Sequence, residues 1–334
     1  MLFQYLKRVQ KKLKKSQIMD KKIAVIVPAY NEELLIKKTI DSMPEMVNEI
    51  IIINDCSTDN TEKIITDEMK NNKKITLINL DKNSGVGSAI VKGYEVAYEK
   101  NYDVGVVMPG DAQALPEDFE NLVTPVLNGT VDYTKGNRLK YKGVSNIMPK
   151  HRFFGNTLLT LLTKFASGYY HIMDPQMGYT ALNLKIVPKL NLEQLIKRYG
   201  YPGHLLYLLN MADAKVMDID VKPHYGEEKS GIRLFTFIPK LIYLLIRLFF
   251  SRVFKKLIVQ NLSPAGISYL FSFIIFFFAL PPITYRTISR YISLDEIPQI
   301  TFISLTTGII LFFIFFLFGI LFDVQENRYN EIKQ

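Results

Sequence analysis

A chain of 334 residues, 48% hydrophobic and 22% charged, has room for one α/β domain of about 200 residues plus a membrane module, and not for two large soluble domains. Its formal charge of +9 is concentrated at one end: residues 1–22 hold eight Lys or Arg against Asp20, so the rest of the chain is nearly neutral and no nucleic-acid partner is expected. A single cysteine, Cys56, excludes an internal disulfide and any zinc cluster built on several cysteines.

In chain order, residues 1–21 place Leu2, Phe3, Leu6, Val9 and Leu13 near helical spacing among the lysines. That spacing predicts a basic amphipathic segment lying on anionic headgroups, with a disordered basic tail as the alternative. No apolar run or small-residue cleavage site follows the basic part, so a signal peptide is not expected.

From Lys22 to about Leu182, apolar β-branched runs alternate with amphipathic segments. Strands are expected at Ile23–Val27, Ile50–Ile53, Ile75–Leu80 and Val104–Met108, with helices near Glu33–Ser42, Thr61–Lys70, Ser88–Tyr98 and Pro116–Asn128. Such alternation predicts an α/β domain whose mainly parallel sheet is covered by helices on both faces. Ligands of open sheets bind beyond the carboxyl ends of the strands, so the polar clusters there are the candidate site. After the first strand Pro28 stops the ladder, Asn31 stands ready to cap a helix, and Glu32 can accept hydrogen bonds from ribose hydroxyls. After the second, Asp55 can accept a base N–H while Asp59 caps the next helix. Each cluster alone also reads as an ordinary turn.

After Gly231 the composition changes. Lys240, Arg247 and Lys255 recur at helical spacing on a body of Leu, Ile, Phe and Val through Leu241–Ile258, which predicts an interfacial helix, with a buried amphipathic helix of the soluble domain as the alternative. Leu262–Tyr285 and Ile297–Phe322 contain no charged side chain, and each exceeds the roughly 20 residues needed to cross a hydrocarbon core. Two transmembrane helices are expected. Arg252, Lys255 and Lys256 precede the first span and place that end, with the soluble head, on the cytoplasmic face; Arg286 and Arg290, expected in the short loop between spans, weaken this asymmetry without reversing it. The expected organisation is a basic segment over 1–21, a head over 22–231, interfacial helices over 232–260, a multi-pass hairpin over 261–323 and a cytosolic tail over 324–334. A two-helix hairpin leaves room for a homo-oligomer.

Val-Ile-Val-Pro-Ala-Tyr-Asn-Glu-Glu, followed after the next strand by Asn-Asp-Cys-Ser-Thr-Asp-Asn-Thr, resembles family 2 glycosyltransferases of the GT-A (Rossmann-like) fold. The resemblance implies a nucleotide-sugar held by Pro28, Ala29, Tyr30, Glu32 and Asp55. Asn83-Ser84-Gly85-Val86-Gly87 is similar to the family's Gly-rich turn into a helix, and Gly85 and Gly87 read as backbone-geometry residues first. Pro109-Gly110-Asp111-Ala112-Gln113 stands where the family carries Asp-x-Asp and a following Gln, with Pro109 in place of the first aspartate. It implies donor contacts from Pro109 and Gly110 and a metal site at Asp111 and Gln113 for Mg²⁺ or Mn²⁺; an Asx turn before a Pro-started helix is the alternative.

Within that family the likeness is to the polyisoprenyl-phosphate glycosyltransferases. Gly136-Asn137-Arg138, and Arg152 with Asn156, resemble segments that imply guanidinium forks gripping an acceptor lipid phosphate, dolichyl or undecaprenyl. Asp174-Pro175-Gln176-Met177-Gly178-Tyr179 resembles an acceptor-loop motif, and Tyr225 to Gly231, with Lys229, the loop near the donor diphosphate. The implied catalytic residues are Asp111, Arg138 and Arg152, and the implied reaction inverts the anomeric configuration. Pro223 stands where mannose-transferring members often carry Arg, which leans away from mannose. A processive polysaccharide synthase would need a Gln-x-x-Arg-Trp motif, and this chain has no tryptophan. The alternatives are a membrane-anchored glycosyltransferase with another acceptor and an inactive sugar-nucleotide-binding protein.

Overall fold

The computed structural model describes residues 20–110, 115–140, 150–222, 234–294 and 297–328. Nearly all of the basic N-terminal segment, Asp111, Gln113, and the 225–231 loop with Lys229 lie outside them. The backbone at Arg152 and Asn156 is described and their side chains are not.

The head is built on β1 (Ile23–Ala29), β2 (Glu49–Asn54), β3 (Ile75–Asn79), β4 (Val104–Val107), β5 (Tyr133–Asn137), β6 (Thr180–Asn183) and β7 (Val216–Asp220), in the spatial order β3-β2-β1-β4-β6-β5-β7. β1 pairs parallel with β2 and β4, and β2 with β3, while β6 runs antiparallel between β4 and β5. β5 and β7 are parallel to each other. The sheet is therefore mixed.

β1, the middle of β2 and β4 read as apolar runs because both faces are covered, whereas the edge strand β3 carries Thr76 and Asn79 and is only partly buried. Ile23, Val25 and Val27 of β1 join a core that includes Ile36 and Ile40 of α1 (Ile36–Asp41) and Phe119, Leu122 and Val126 of α4 (Phe119–Leu127). The alternate residue Ile26 meets α3 (Val86–Glu99) on the other face, where a Cβ at Gly93 would come within 2.2 Å of its Cγ2. Helix α2 (Thr61–Asn71) follows β2, and α5 (Lys150–Ser167) and α6 (Tyr201–Met211) follow β5 and β6. Leu241 and Leu245 of α7 (Leu234–Arg252) pack at Gly200 and Gly203, at the start of α6. The chain divides into two compact units inside α7, between Ile246 and Arg247.

In the second unit a π-helical stretch, Val253–Gln260, leads through a Ser263 cap, whose Oγ accepts from the Gly266 N–H at 3.1 Å, into α8 (Pro264–Ile274). A second π segment, Ile275–Ala279, joins α8 to α9 (Leu280–Leu294), and α10 is Gln299–Asn327. Pro281 and Pro282 lack the N–H groups that an α-helix would need at this point, which accounts for the widened turn before them. Two helical stretches, Pro264–Ser293 and Gln299–Asn327, are long and apolar enough to cross a membrane. Rings of the two helices meet along the hairpin in tilted pairs, Phe271 with Phe315 and Phe276 with Phe312. Phe278, Ile300 and Leu317 are exposed.

Arg286 and Arg290 are not in a loop. They lie within α9, which runs on to Leu294 because nothing from Ile283 to Leu294 breaks a helix. Where the helices meet, Arg252 Nη1 and Nη2 bond Asp323 Oδ1 and Oδ2 at 2.8 and 2.6 Å, both side chains fully buried, and Asn327 Nδ2 donates to Asp323 Oδ1 at 2.9 Å.

Candidate active site

The turns after β1 and β2 are stitched together. Asn31 takes φ 56°, a left-handed conformation that Asn tolerates better than most residues. Its Oδ1 accepts from Thr58 N at 2.8 Å and its own N–H donates to Ser57 Oγ at 3.0 Å. Asn31 therefore bridges two loops and caps no helix, and the helix expected from Glu33 begins at Ile36. Glu32 N donates to Thr61 Oγ1 at 2.8 Å, and Glu33 N to Asp59 Oδ2 at 3.2 Å. Asp59 Oδ1 also accepts from Thr61 N at 3.0 Å, at the start of α2, where Asn60 holds the N-cap position. Burial pushes the Asp59 pKa up, but the Thr61 hydroxyl and the backbone N–H groups of Thr61 and Glu33 outweigh it and hold the carboxyl below its ordinary value.

Asp55 is buried at the end of β2, its N–H bonded to Ala29 O at 2.8 Å. Its two carboxylate oxygens accept from Ser84 N and Gly85 N, each at 2.7 Å. The carboxylate thus pins the Gly-rich turn at the positive end of α3. Gly85 has φ 93°, and a Cβ at Gly87 would lie 2.2 Å from Ile196 O, so both glycines are required by backbone geometry. A carboxylate offers about four lone-pair directions, so these two bonds leave acceptor capacity for a ligand.

The tip of β4 comes to the same place. Met108 N donates to Ile26 O at 3.0 Å, and the Thr39 hydroxyl donates to Gly110 O at 3.0 Å. A Cβ at Gly110 would stand 3.3 Å from Pro28 O and 3.6 Å from Glu32 Cγ. Pro28, Ala29, Glu32, Asp55, Pro109 and Gly110 are thereby brought together, with Tyr30 half-exposed beside them. Asp111 and Gln113 come next in the sequence, outside the described residues. One carboxylate and one amide oxygen suit a hard cation that completes its shell with phosphate and water. Among the described residues no group of three His, Cys, Asp or Glu offers an alternative centre.

On the other side, Arg138 follows β5. Its Nε and Nη2 bond Asp174 Oδ2 and Oδ1 at 2.8 and 3.2 Å, and its backbone N–H bonds Oδ2 at 3.2 Å. The segments 136–138 and 174–179 thus form one structure. A Cβ at Gly178 would lie 3.2 Å from Pro109 Cγ, so the segment that holds Arg138 touches the tip of β4. Arg152 and Asn156 stand four residues apart in α5.

Two side chains in this region escaped the sequence reading. Lys135 of β5 is buried and donates from Nζ to Met177 O; Asp218, its register partner on β7, accepts at Oδ2 from Met173 N at 2.7 Å and Asn137 Nδ2 at 3.0 Å. Burial pushes the Lys135 ammonium down to about 8, opposed by Asp174 and Asp218. Burial pushes Asp218 up to about 7, opposed by the Met173 N–H and by Lys135. A charged residue within a strand reads as solvent-facing, and neither lies in a motif.

The family model for glycosyl transferase family 2 matches residues 24–190, half of the chain. The chain belongs to glycosyl transferase family 2. This glycosyltransferase is 31% identical over 221 residues to a UDP-N-acetylglucosamine–dolichyl-phosphate N-acetylglucosaminyltransferase of Methanococcus voltae, covering 62% of this chain and 88% of that one. It is 29% identical over 204 residues to a dolichol-phosphate mannosyltransferase of Pyrococcus furiosus, covering 59% and 55%. Among solved structures, glucosyl-3-phosphoglycerate synthase of Mycobacterium tuberculosis, in complex with Mn²⁺, UDP and phosphoglyceric acid, superposes with a TM-score of 0.55 at 19% identity, covering 72% of this chain and 81% of that one. At that identity the likeness is one of fold, and the head of the family 2 enzyme has the GT-A fold.

Proposed function

We propose that this enzyme transfers a sugar, with inversion, from a UDP- or GDP-linked donor to a polyisoprenyl phosphate, dolichyl or undecaprenyl. The observation that carries the reading is the contact between Pro109 and Gly178, which sets the donor loops edge to edge with the segment that holds Arg138. The named relatives that act on dolichyl phosphate support the acceptor, and the M. voltae relative's UDP-linked sugar supports the donor. The two lipid-length helices supply the means to meet an insoluble acceptor at the membrane, and the basic residues before α8 favour a cytoplasmic head on a multi-pass chain.

In this reading Glu32 and Asp55 receive the nucleoside, and Lys229 faces the diphosphate. Asp111 and Gln113 would hold Mg²⁺ or Mn²⁺, which when bound neutralises the leaving diphosphate. A lipid phosphate is anionic at neutral pH and needs no general base, so the chief obstacle is repulsion between two anions. Arg138, oriented by Asp174, and Arg152 with Asn156 counter it on the acceptor side. Attack on the anomeric carbon from the face opposite the leaving group inverts the configuration.

The test is to incubate membranes containing the enzyme with a panel of radiolabelled UDP- and GDP-sugars, extract the lipid, and look for mild-acid-labile label. Label in lipid with one donor is the expected result. Donor consumption with label only in water-soluble product would overturn the lipid acceptor. A head cut after Ile246, which keeps Leu241 and Leu245 on Gly200 and Gly203, should still bind the donor and use a short soluble prenyl phosphate while losing most transfer to a long polyisoprenyl phosphate in liposomes.

A further inference from the structure

In and beneath the 173–177 segment lie three buried charged side chains, of which the proposed reaction uses only Asp174, to orient Arg138. Lys135, Asp174 and Asp218 are 0%, 2% and 7% exposed. They do not simply fill space, since aliphatic residues of similar volume would pack at least as well in strands β5 and β7 without the cost of desolvating charge. What they share is the segment they hold. Asp218 accepts the Met173 N–H, Asp174 is fixed on Arg138, and Lys135 donates to the Met177 carbonyl, so a five-residue stretch is gripped at both ends from the sheet below. The second oxygen of Asp218 has no hydrogen-bond partner among the described residues, so this carboxylate depends on nearby positive charge. Asn137 Nδ2, one residue before Arg138, bonds the same Asp218 carboxylate.

We propose that Lys135 and Asp218 are positioning residues for the acceptor phosphate: by fixing residues 173–177 they set Asp174, and Asp174 sets the plane of the Arg138 guanidinium. The inference rests on the reading that Arg138 receives a polyisoprenyl phosphate. It assigns Lys135 and Asp218 no contact with either substrate, only an effect transmitted through a rigid segment.

The test uses the full-length enzyme in lipid nanodiscs and three variants: Lys135→Met, which keeps most of the side chain's length without its charge, Asp218→Leu, which removes the acceptor of the Met173 N–H, and the two combined. For each, donor affinity is measured by calorimetry with the nucleotide-sugar, the KM for polyisoprenyl phosphate is measured at saturating donor, and the thermal midpoint is recorded. Lys135→Met should raise the acceptor KM about tenfold, the scale of one lost charge-assisted hydrogen bond, with donor affinity unchanged. The double variant removes both charges together and should keep the raised KM, because neither end of the segment regains its anchor. If Lys135→Met fails to fold, Asp218→Leu and the double variant give the same reading. An acceptor KM at the wild-type value in a folded variant overturns the proposal, and so does full recovery in the double variant, which would mean that the two residues only balance each other's charge. If the wild-type enzyme binds donor but uses no polyisoprenyl phosphate, there is no acceptor KM to shift, and the functional reading itself falls together with this inference.

Discussion

Strands β1 to β4 and strands β5 to β7 belong to one sheet but are filled differently. In the first group Ala24 to Val27, Ile50 to Ile53 and Val104 to Val107 are apolar or glycine and buried, and the polar side chains of interest stand in the turns beyond the strands. In the second group Thr134, Lys135, Asn137, Thr180 and Asp218 are buried within the strands themselves. On the donor side an inert frame carries chemistry on its loops, the usual division of labour in open sheets. Around Arg138 the strands themselves carry buried polar groups bonded to residues 173–177, so a change in a strand is expected to be felt at the proposed acceptor site.

This contrast can be broken at the tips first. Asp111→Asn should cost on the order of 10²-fold or more in turnover with no loss of fold, because it removes the carboxylate of the metal motif. Full activity of that variant across a Mn²⁺ titration would remove the metal from the donor side. Asp55→Ala comes next. It leaves the Ser84 and Gly85 N–H groups without their acceptor, at about 1–3 kcal/mol for each buried group left unpaired, and should weaken donor binding in calorimetry while the acceptor KM stays put. Equal weakening for both substrates would show that the two halves are not independent.

Arg152→Ala sharpens the contrast from the other side. The acceptor KM should rise about tenfold with donor affinity unaltered; a collapse of donor binding instead would move this arginine across the site. The smallest effect belongs to the frame. Ile52→Val, in the fully buried middle of β2, should lower stability by about 0.5–1.5 kcal/mol and leave turnover and both KM values as they were. A kinetic change there, read at a temperature well below the unfolding midpoint, would mean that the donor half is not the inert frame described.

The same contrast explains how far the sequence could be read. Strands β1 to β4 announce themselves as β-branched runs closed by polar turns, and the expected ends lie within two residues of the observed ones. Strands β5 and β7, Tyr-Thr-Lys-Gly-Asn and Val-Met-Asp-Ile-Asp, show no such pattern, because hydrophobic periodicity cannot tell an inward lysine with an internal partner from an outward one. The motifs around Arg138 and Asp174 were legible one by one. Their union was not, since it depends on β6 returning antiparallel beside β5 and bringing residues 36 apart in sequence into contact. The sequence offered Asn31 as a helix cap, but its left-handed turn, which diverts the side chain from the helix to Thr58, is a matter of backbone angle that residue type only permits.

The buried pair of Arg252 and Asp323 bears on how the chain is made. The guanidinium is synthesised first, and its counter-charge arrives 71 residues later, near the end of the last helix. Until then the nascent hairpin lacks the carboxylate that this guanidinium binds, and stripping one member from such a buried pair costs about 3–5 kcal/mol. A product released early, ending short of Asp323, carries that defect permanently, in the unit where α8 and α10 should close on each other. The ion pair therefore couples the closing of the hairpin to the order of synthesis: Arg252 gains this carboxylate only once residue 323 has been made.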